Sequence, residues 1–198
     1  MAAAAGGEGI FIFGDRCNHS LISVILKIMK SKFPRETYAI TSQFVLPNDT
    51  NALGNIAGGH LLHWMDIVSA ISAHRLCKRV VVTAAVNNVS FREPIKLGSI
   101  VTLEAKVSRS FNTSMEVYID VWVEDRITGE RKKHNEAIYT FVAVDQNGAP
   151  LPVPQVTPET EEEKKRFDSA LRRRQLSLIL AGKMKPDDAT ELKALFVK

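Results

Sequence analysis

The sequence has few cysteines, so it offers few residues for disulfide bonds or for zinc binding. Cys17 and Cys77 are its two thiols in 198 residues, and they form no CxxC pair. Two isolated thiols predict neither a disulfide scaffold nor a structural zinc site, and they favour a reduced chain. Hydrophobic residues make up 45% of the chain and charged residues 24%. That composition is typical of globular proteins and excludes a disordered or collagen-like chain.

A long uninterrupted apolar segment is also missing. Residues 10–29 look apolar, but Asp15, Arg16 and Lys27 interrupt them, whereas a membrane-spanning helix needs about 20 apolar residues with few charges. We therefore expect no membrane span, and this stretch also lacks the basic start and continuous apolar run of a secretory signal. The sequence predicts a flexible or briefly helical extension over residues 1–35 and a cytoplasmic protein. A mitochondrial presequence stays an alternative, with Asp15 counting against it.

The net charge is small and positive. Lys and Arg total 26 against 22 Asp and Glu, which gives +4, and this suits the phosphates of a small molecule as well as nucleic acid. Part of the positive charge lies in residues 155–198. In this segment Thr160 and Glu163 have the spacing of a capping box, which predicts that a helix starts there. The arginine run 172–174 in this basic helical tail is interpreted either as a solvated helix face or as a phosphate contact.

Between these ends the pattern runs from strand to helix to four strands. Residues 60–76 contain no Gly or Pro and are apolar almost all round, which predicts a helix buried on most sides. Short links between the strands favour antiparallel neighbours. A long apolar helix needs a covering layer, so we predict an α+β domain over residues 36–154, in which a curved antiparallel sheet covers the helix. The predicted strands are residues 38–45, 80–91, 99–110, 114–124 and 135–145.

The loop before this helix is the first candidate site. Asn55 is followed closely by Gly58 and Gly59, and glycines let a ligand approach backbone N–H groups closely. The first N–H groups of a helix are unpaired and lie at its positive end. They could stabilise an oxyanion, and one such donor is typically worth about 2.7–4 kcal/mol of barrier. The alternative is that the two glycines only allow tight packing of helix against sheet.

Asp66 is the second candidate, because it is a carboxylate within the apolar helix. A buried unpaired carboxylate costs several kcal/mol, so Asp66 is either functional or paired locally, with His63 as the possible partner. If the helix begins near Gly58, Asp66 lies roughly 12 Å further along its axis. A single water does not span that distance. If both groups act on one carbonyl, they do so across a two-fold dimer, each with the partner chain's counterpart.

Other catalytic signatures are missing from the sequence. It has no G-x-S-x-G nucleophile elbow, no P-loop and no dinucleotide fingerprint. His60, His63 and Asp66 point in directions that spread over about 120° of a helix, so no metal site is predicted. We expect no cofactor.

Several sequence blocks together resemble one known family. Residues 46–66 (LPNDTNALGNIAGGHLLHWMD) closely resemble the acyl-CoA hydrolase family of hotdog-fold thioesterases, and the resemblance covers about residues 38–154. Further matching blocks, in the same order, are residues 82–84, 88–98, 113–117 and 141–145.

This resemblance implies a fold, an activity and an assembly. The fold is the hotdog fold, a long helix wrapped by a five-stranded antiparallel sheet, in homodimers or trimers of dimers. The activity is hydrolysis of fatty acyl-CoA to free fatty acid and coenzyme A at a dimer interface. Asn55 would orient the thioester or water, Gly58 and Gly59 would polarise the carbonyl, and Asp66 would act as base or nucleophile. The candidates for the phosphates of coenzyme A are Arg92, Arg109, Arg172, Arg173 and Arg174.

Three other functions stay open. A hotdog hydratase usually needs a loop histidine as base, and the amide of Asn55 cannot take up a proton at neutral pH. A non-catalytic acyl-CoA sensor would bind the same ligand without turnover, although the presence of both Asn55 and Asp66 argues against it. Nucleic-acid binding through the basic tail would depend steeply on salt, and we expect no nucleic-acid partner.

Overall fold

A computed structural model describes residues 30–87, 89, 91 and 93–196. Most of the extension predicted for residues 1–35, and Arg92, lie outside the described residues. In chain order the main elements are β1 (Ala39–Phe44), α1 (Gly58–Cys77), β2 (Val80–Asn87), β3 (Ile100–Ser110), β4 (Ser114–Glu124), β5 (Arg131–Val144), α2 (Glu161–Leu180) and the short α3 (Thr190–Lys193).

The strands form one antiparallel sheet in the order β1-β3-β4-β5-β2. The predicted α+β architecture is confirmed, with α1 lying against one face of the sheet. Alternation along β4 decides which side chains face the helix, because successive side chains point to opposite faces. Met115, Val117, Ile119 and Val121 are fully buried and join Leu61, Met65 and Val68 of α1 in the core.

Helix α1 is not buried all round within one chain. Ile67 and Ile71 remain 45% and 44% exposed, and Val80, Val82 and Val86 of the edge strand β2 are exposed as well. Large apolar side chains grouped around a helix and a free sheet edge are typical of a surface that another protein covers.

The ends of two strands differ from the sequence prediction. β5 begins at Arg131 rather than at residue 135, and β2 ends at Asn87 rather than at residue 91. The first residues of β5 are polar, so the apolar pattern does not reach them, yet Arg131 pairs with Glu124 of β4. A register shift between Val121 and Trp122 places an extra residue in the strand.

Helix α2 packs on the opposite face of the sheet. Its predicted start is confirmed. The Thr160 hydroxyl accepts a hydrogen bond from the Glu163 N–H at 3.1 Å, and the Glu163 carboxylate accepts one from the Thr160 N–H at 3.3 Å. Within the helix, Glu162 pairs with Arg166 at 2.6 Å and Glu161 pairs with Lys164 at 2.7 Å. Among the helices in the described part of the chain, none is long and apolar enough to cross a membrane.

Candidate functional site at the start of helix α1

Two backbone donors are free at the start of α1. The helix follows Ala57, which offers no side-chain cap, and the N–H groups of Gly58 and Gly59 bond to none of the residues that the structure describes. The Ala57 N–H is itself held by the Asp49 carbonyl at 2.7 Å. The loop is therefore anchored, while the two amides after it are available to an incoming oxygen.

The two glycines are not needed for packing within the chain. A Cβ added at Gly59 would meet nothing within 4 Å, and one at Gly58 would lie 3.5 Å from the Phe91 ring, an ordinary contact. Neither glycine has a positive φ. The alternative interpretation, tight packing of helix against sheet, therefore does not explain them, and the open space beside Gly59 remains for a ligand or a partner chain.

Asn55 lies in a loop that Asn51 closes. The Asn51 carboxamide oxygen accepts hydrogen bonds from the N–H groups of Leu53 and Asn55, at 2.9 and 3.3 Å, and the Asn51 N–H donates to the Asn55 carbonyl at 2.8 Å. Asn55 is half-buried, and its carboxamide makes no hydrogen bond to the described residues. The loop thus holds a half-buried amide side chain three residues before Gly58.

Asp66 lies on the third turn of α1 and has a partner that the sequence did not indicate. The Thr83 hydroxyl of β2 donates to its Oδ1 at 2.6 Å, so the local partner considered above, His63, is not the group that binds this carboxylate. Asp66 is half-buried. A carboxylate that accepts one hydrogen bond and keeps its second oxygen open can take a proton from water or attack a carbonyl carbon.

A buried tyrosine lies close to the same helical turn. The Tyr139 hydroxyl of β5 donates to the Leu62 carbonyl at 3.0 Å. Burial and, secondarily, the nearby charge of Asp66 raise the pKa of Tyr139 to about 12. The phenol therefore remains protonated, and a hydrogen-bond donor, at neutral pH.

The helix start and Asp66 are separated within one chain. Asp66 follows Gly58 by eight residues in α1, which is about 12 Å of helix. The structure therefore groups Asn55 with Gly58 and Gly59, and it groups Asp66 with Thr83. His60, one of the residues weighed for a metal, lies beside Asp49 with its Nδ1 at 3.2 Å from Oδ1.

The predicted arginine contacts lie on the far face of the sheet, where α2 docks. Arg173 binds Glu116 of β4 through two hydrogen bonds of 2.9 and 2.7 Å. Arg109 donates to the Phe167 carbonyl at 3.0 Å, and Arg174 donates to Ser114 at 3.0 Å. Arg172 bonds to Ser169 within α2 itself at 3.0 Å. These four guanidinium groups therefore already have partners in the chain.

The sequence is similar to those of known thioesterases. A family model described as the thioesterase superfamily matches residues 53–130. The chain is 40% identical over 144 residues to an uncharacterized acyl-CoA thioester hydrolase, YkhA of Bacillus subtilis, covering 73% of this chain and 84% of that protein. It is 38% identical over 124 residues to the cytosolic acyl coenzyme A thioester hydrolase of Rattus norvegicus, covering 62% of this chain but 32% of that longer protein.

The solved structures that this chain resembles are also acyl-CoA thioesterases and hydrolases. An apo-hexameric acyl-CoA thioesterase matches with a TM-score of 0.74 and 39% identity, over 77% of this chain and 98% of that one. The acyl-CoA hydrolase of Staphylococcus aureus, in complex with butyryl coenzyme A, coenzyme A and coenzyme A disulfide, matches with a TM-score of 0.71 and 33% identity, over 78% and 96% of the two chains. Alanine variants of that enzyme at an asparagine, an aspartate and a threonine match as well.

Proposed function

This chain belongs to the thioesterase superfamily and, within it, to the acyl-CoA hydrolases of the hotdog fold, and we propose that it hydrolyses fatty acyl-CoA to the free fatty acid and coenzyme A. The observation that carries the proposal is the pair of amides at Gly58 and Gly59, which bond to none of the described residues, together with the open space where a Gly59 side chain would lie. Two convergent donors at a helix start are suited to the oxygen of a thioester carbonyl, where negative charge develops during attack.

In the proposed mechanism the amides and the carboxylate have separate tasks. The N–H groups of Gly58 and Gly59 polarise the thioester carbonyl, and Asn55 orients the thioester or the attacking water. Asp66, held by Thr83, takes a proton from that water or attacks the carbonyl carbon directly. The thiolate of coenzyme A is then expelled, and because thiolates leave readily, little general acid help is needed. On the direct route, water then hydrolyses the mixed anhydride between the acyl group and Asp66, which releases the fatty acid and restores the carboxylate.

We propose that each site is formed by two chains. Asp66 of one chain lies too far along α1 to act on a carbonyl held at the same helix's start, so a two-fold dimer would pair it with the loop of the other chain. The exposed apolar residues around Asp66, on α1 and β2, provide a surface for such contact. A trimer of these dimers is supported by the similarity to hexameric thioesterases.

The variants of the Staphylococcus aureus enzyme add a second amide candidate. In that chain the altered asparagine precedes the aspartate by fifteen residues, and the threonine follows the aspartate by seventeen. At the same spacings from Asp66 this sequence has Asn51 and Thr83. Thr83 is the group that binds Asp66, and Asn51 fixes the loop that carries Asn55. We keep Asn55 as the proposed reacting amide and include Asn51 in its test.

We also propose which residues contact the phosphates of coenzyme A and where in the cell the protein is located. Arg92, Arg109, Arg172, Arg173 and Arg174 are proposed contacts for the phosphates of coenzyme A, and four of them would have to share or release present partners. A cytoplasmic location is supported by the rat relative, which is named cytosolic.

Mixed dimers test the function and the shared site together. The assay is thiol release from a panel of acyl-CoAs of two to sixteen carbons. Asn55→Ala and Asp66→Ala should each abolish hydrolysis, and a random mixture of the two proteins should recover about a quarter of wild-type activity, because half the dimers are mixed and each of those holds one intact site. Asn51→Ala is mixed with Asp66→Ala in parallel.

The control mixes Asp66→Ala with the double variant Asn55→Ala/Asp66→Ala, which holds no intact site in any pairing and should stay inactive. Lack of recovery in heterodimers verified by mass spectrometry would exclude a shared site. Tight acyl-CoA binding without thiol release by the wild-type chain would instead indicate the non-catalytic sensor.

A further inference from the structure

Tyr139 is buried beneath the helical turn that carries Asp66. Its side chain is 1% exposed, and its ring lies near that of Phe141, with centroids 6.3 Å apart and planes 18° from parallel. Its hydroxyl reaches α1 and donates to the Leu62 carbonyl at 3.0 Å. A phenylalanine would fill the same space, so packing alone does not explain the hydroxyl.

The bonded carbonyl is directly linked to Asp66. Leu62 precedes Asp66 by four residues in α1, and in an α-helix the carbonyl of residue i accepts the N–H of residue i+4. A carbonyl oxygen has two lone pairs, so the Tyr139 hydroxyl and the Asp66 N–H can both bind the Leu62 oxygen. Tyr139 is thereby connected to the backbone of Asp66 through one atom.

Thr83 supplies the second attachment. It lies on β2, opposite Phe141 of β5, and Val86 of β2 lies opposite Tyr139. Two hydroxyls on neighbouring strands therefore hold one helical turn, Thr83 at the Asp66 carboxylate and Tyr139 at the backbone that carries it. This turn of α1 is therefore held by one hydrogen bond to a side chain, that of Asp66, and by one to the main chain, at Leu62.

We propose that Tyr139 is a positioning residue for Asp66, which fixes the height and rotation of the carboxylate through the Leu62 carbonyl. This inference rests on the proposed thioesterase activity, in which the carboxylate must meet a carbonyl bound by the other chain. Its placement matters, because a misplacement of about 1 Å can cost on the order of 10²-fold in rate. The raised pKa of Tyr139 keeps its hydroxyl a donor at the pH of the reaction.

The variant Tyr139→Phe isolates the hydroxyl and keeps the ring. We expect kcat to fall roughly tenfold while KM changes less than about twofold, which is the signature of an interaction that serves the transition state. Tyr118→Phe is the matched control, since Tyr118 lies opposite Ile138 in the register and faces the side of the sheet where α2 docks, with Arg166 over its ring. Its kcat should equal that of the wild type.

Two further measurements separate positioning from general stability. In an Asp66→Asn background, Tyr139→Phe should lower the residual rate less than about twofold, because residues that act through one group are not additive. Amide hydrogen exchange at Asp66 should be at least about tenfold faster in Tyr139→Phe than in Tyr118→Phe, since the turn opens locally.

A wild-type kcat in Tyr139→Phe would overturn the inference, and so would a tenfold loss that persists in the Asp66→Asn background. If the wild-type chain hydrolyses no acyl-CoA, the proposed function fails by itself. The exchange rate at Asp66 then decides the inference, and unchanged exchange overturns it.

Discussion

Gly59 has room for a side chain within its own chain and carries none. An added Cβ would meet nothing within 4 Å, and alanine is favoured over glycine in a helix by about 0.5–1 kcal/mol. We therefore expect Gly59→Ala to unfold at the same temperature as the wild type or slightly above it. We also expect kcat/KM to fall about 10²-fold or more, because the methyl group would occupy open space at the helix start, where the substrate is proposed to approach.

Thermal unfolding and acyl-CoA hydrolysis measured on one Gly59→Ala preparation check this expectation. A stable variant with full activity would show that the substrate does not approach this amide. A variant that loses stability would indicate that a partner chain packs against Gly59.

Residue type decided which site residues could be predicted. A carboxylate within an apolar helix and a glycine pair before it are unusual, so Asp66, Gly58 and Gly59 could be identified from the sequence. Thr83 and Tyr139 could not, because threonine and tyrosine are ordinary strand residues. Their importance comes from the strand order, which brings β2 beside β5 beneath one turn of α1.

At the scale of the element, helix α2 is held to the sheet by a buried ion pair. Glu116 is 4% exposed and is bound by Arg173 on one side and by the Ser108 hydroxyl at 2.6 Å on the other. Removing one partner of a buried pair typically costs 3–5 kcal/mol, because the other charge is left uncompensated. We expect Arg173→Met to destabilise the protein by about 3 kcal/mol, measured by denaturant unfolding.

The control for this variant is Lys164→Met, which breaks the exposed pair with Glu161 on the same helix and should leave the free energy of unfolding nearly unchanged. Adding Glu116→Gln to Arg173→Met should restore part of the loss. A loss no larger than that of the control would contradict the docking role. The same variant tests the proposal that Arg173 contacts a phosphate of coenzyme A. A phosphate contact predicts that Arg173→Met raises the KM for acyl-CoA, whereas a role in docking α2 alone predicts an unchanged KM.

The ends of the elements were harder to predict than the elements themselves. The apolar residues at the centres of α1 and of the five strands indicated those elements in the sequence, and the elements are present. β5 extends to Arg131 through pairing with β4, a long-range interaction that its own polar residues do not indicate. The apolar pattern of α1 begins at residue 60, two residues after the helix itself, because glycine contributes no side chain to such a pattern.

At the scale of the whole molecule, one chain is proposed to be half of a catalytic unit, and the edge strand β2 is where this can be tested. Val82 lies in β2 beside Thr83 and is 46% exposed in the single chain, and β2 pairs with β5 at the end of the sheet. A charge buried at an interface without a partner is strongly unfavourable. Val82→Lys should therefore shift the assembly toward the monomer, as light scattering of the eluted protein would show.

The monomer should be folded but inactive, although Asn55, Gly58, Gly59 and Asp66 are all intact. Ile127→Lys serves as the control, because Ile127 is 85% exposed in the turn between β4 and β5, and it should keep both assembly and activity. If a Val82→Lys monomer with wild-type circular dichroism hydrolyses acyl-CoA at the wild-type rate per chain, the site lies within one chain. The distance of about 12 Å along α1 would then have to be closed by movement of the loop rather than by a second subunit.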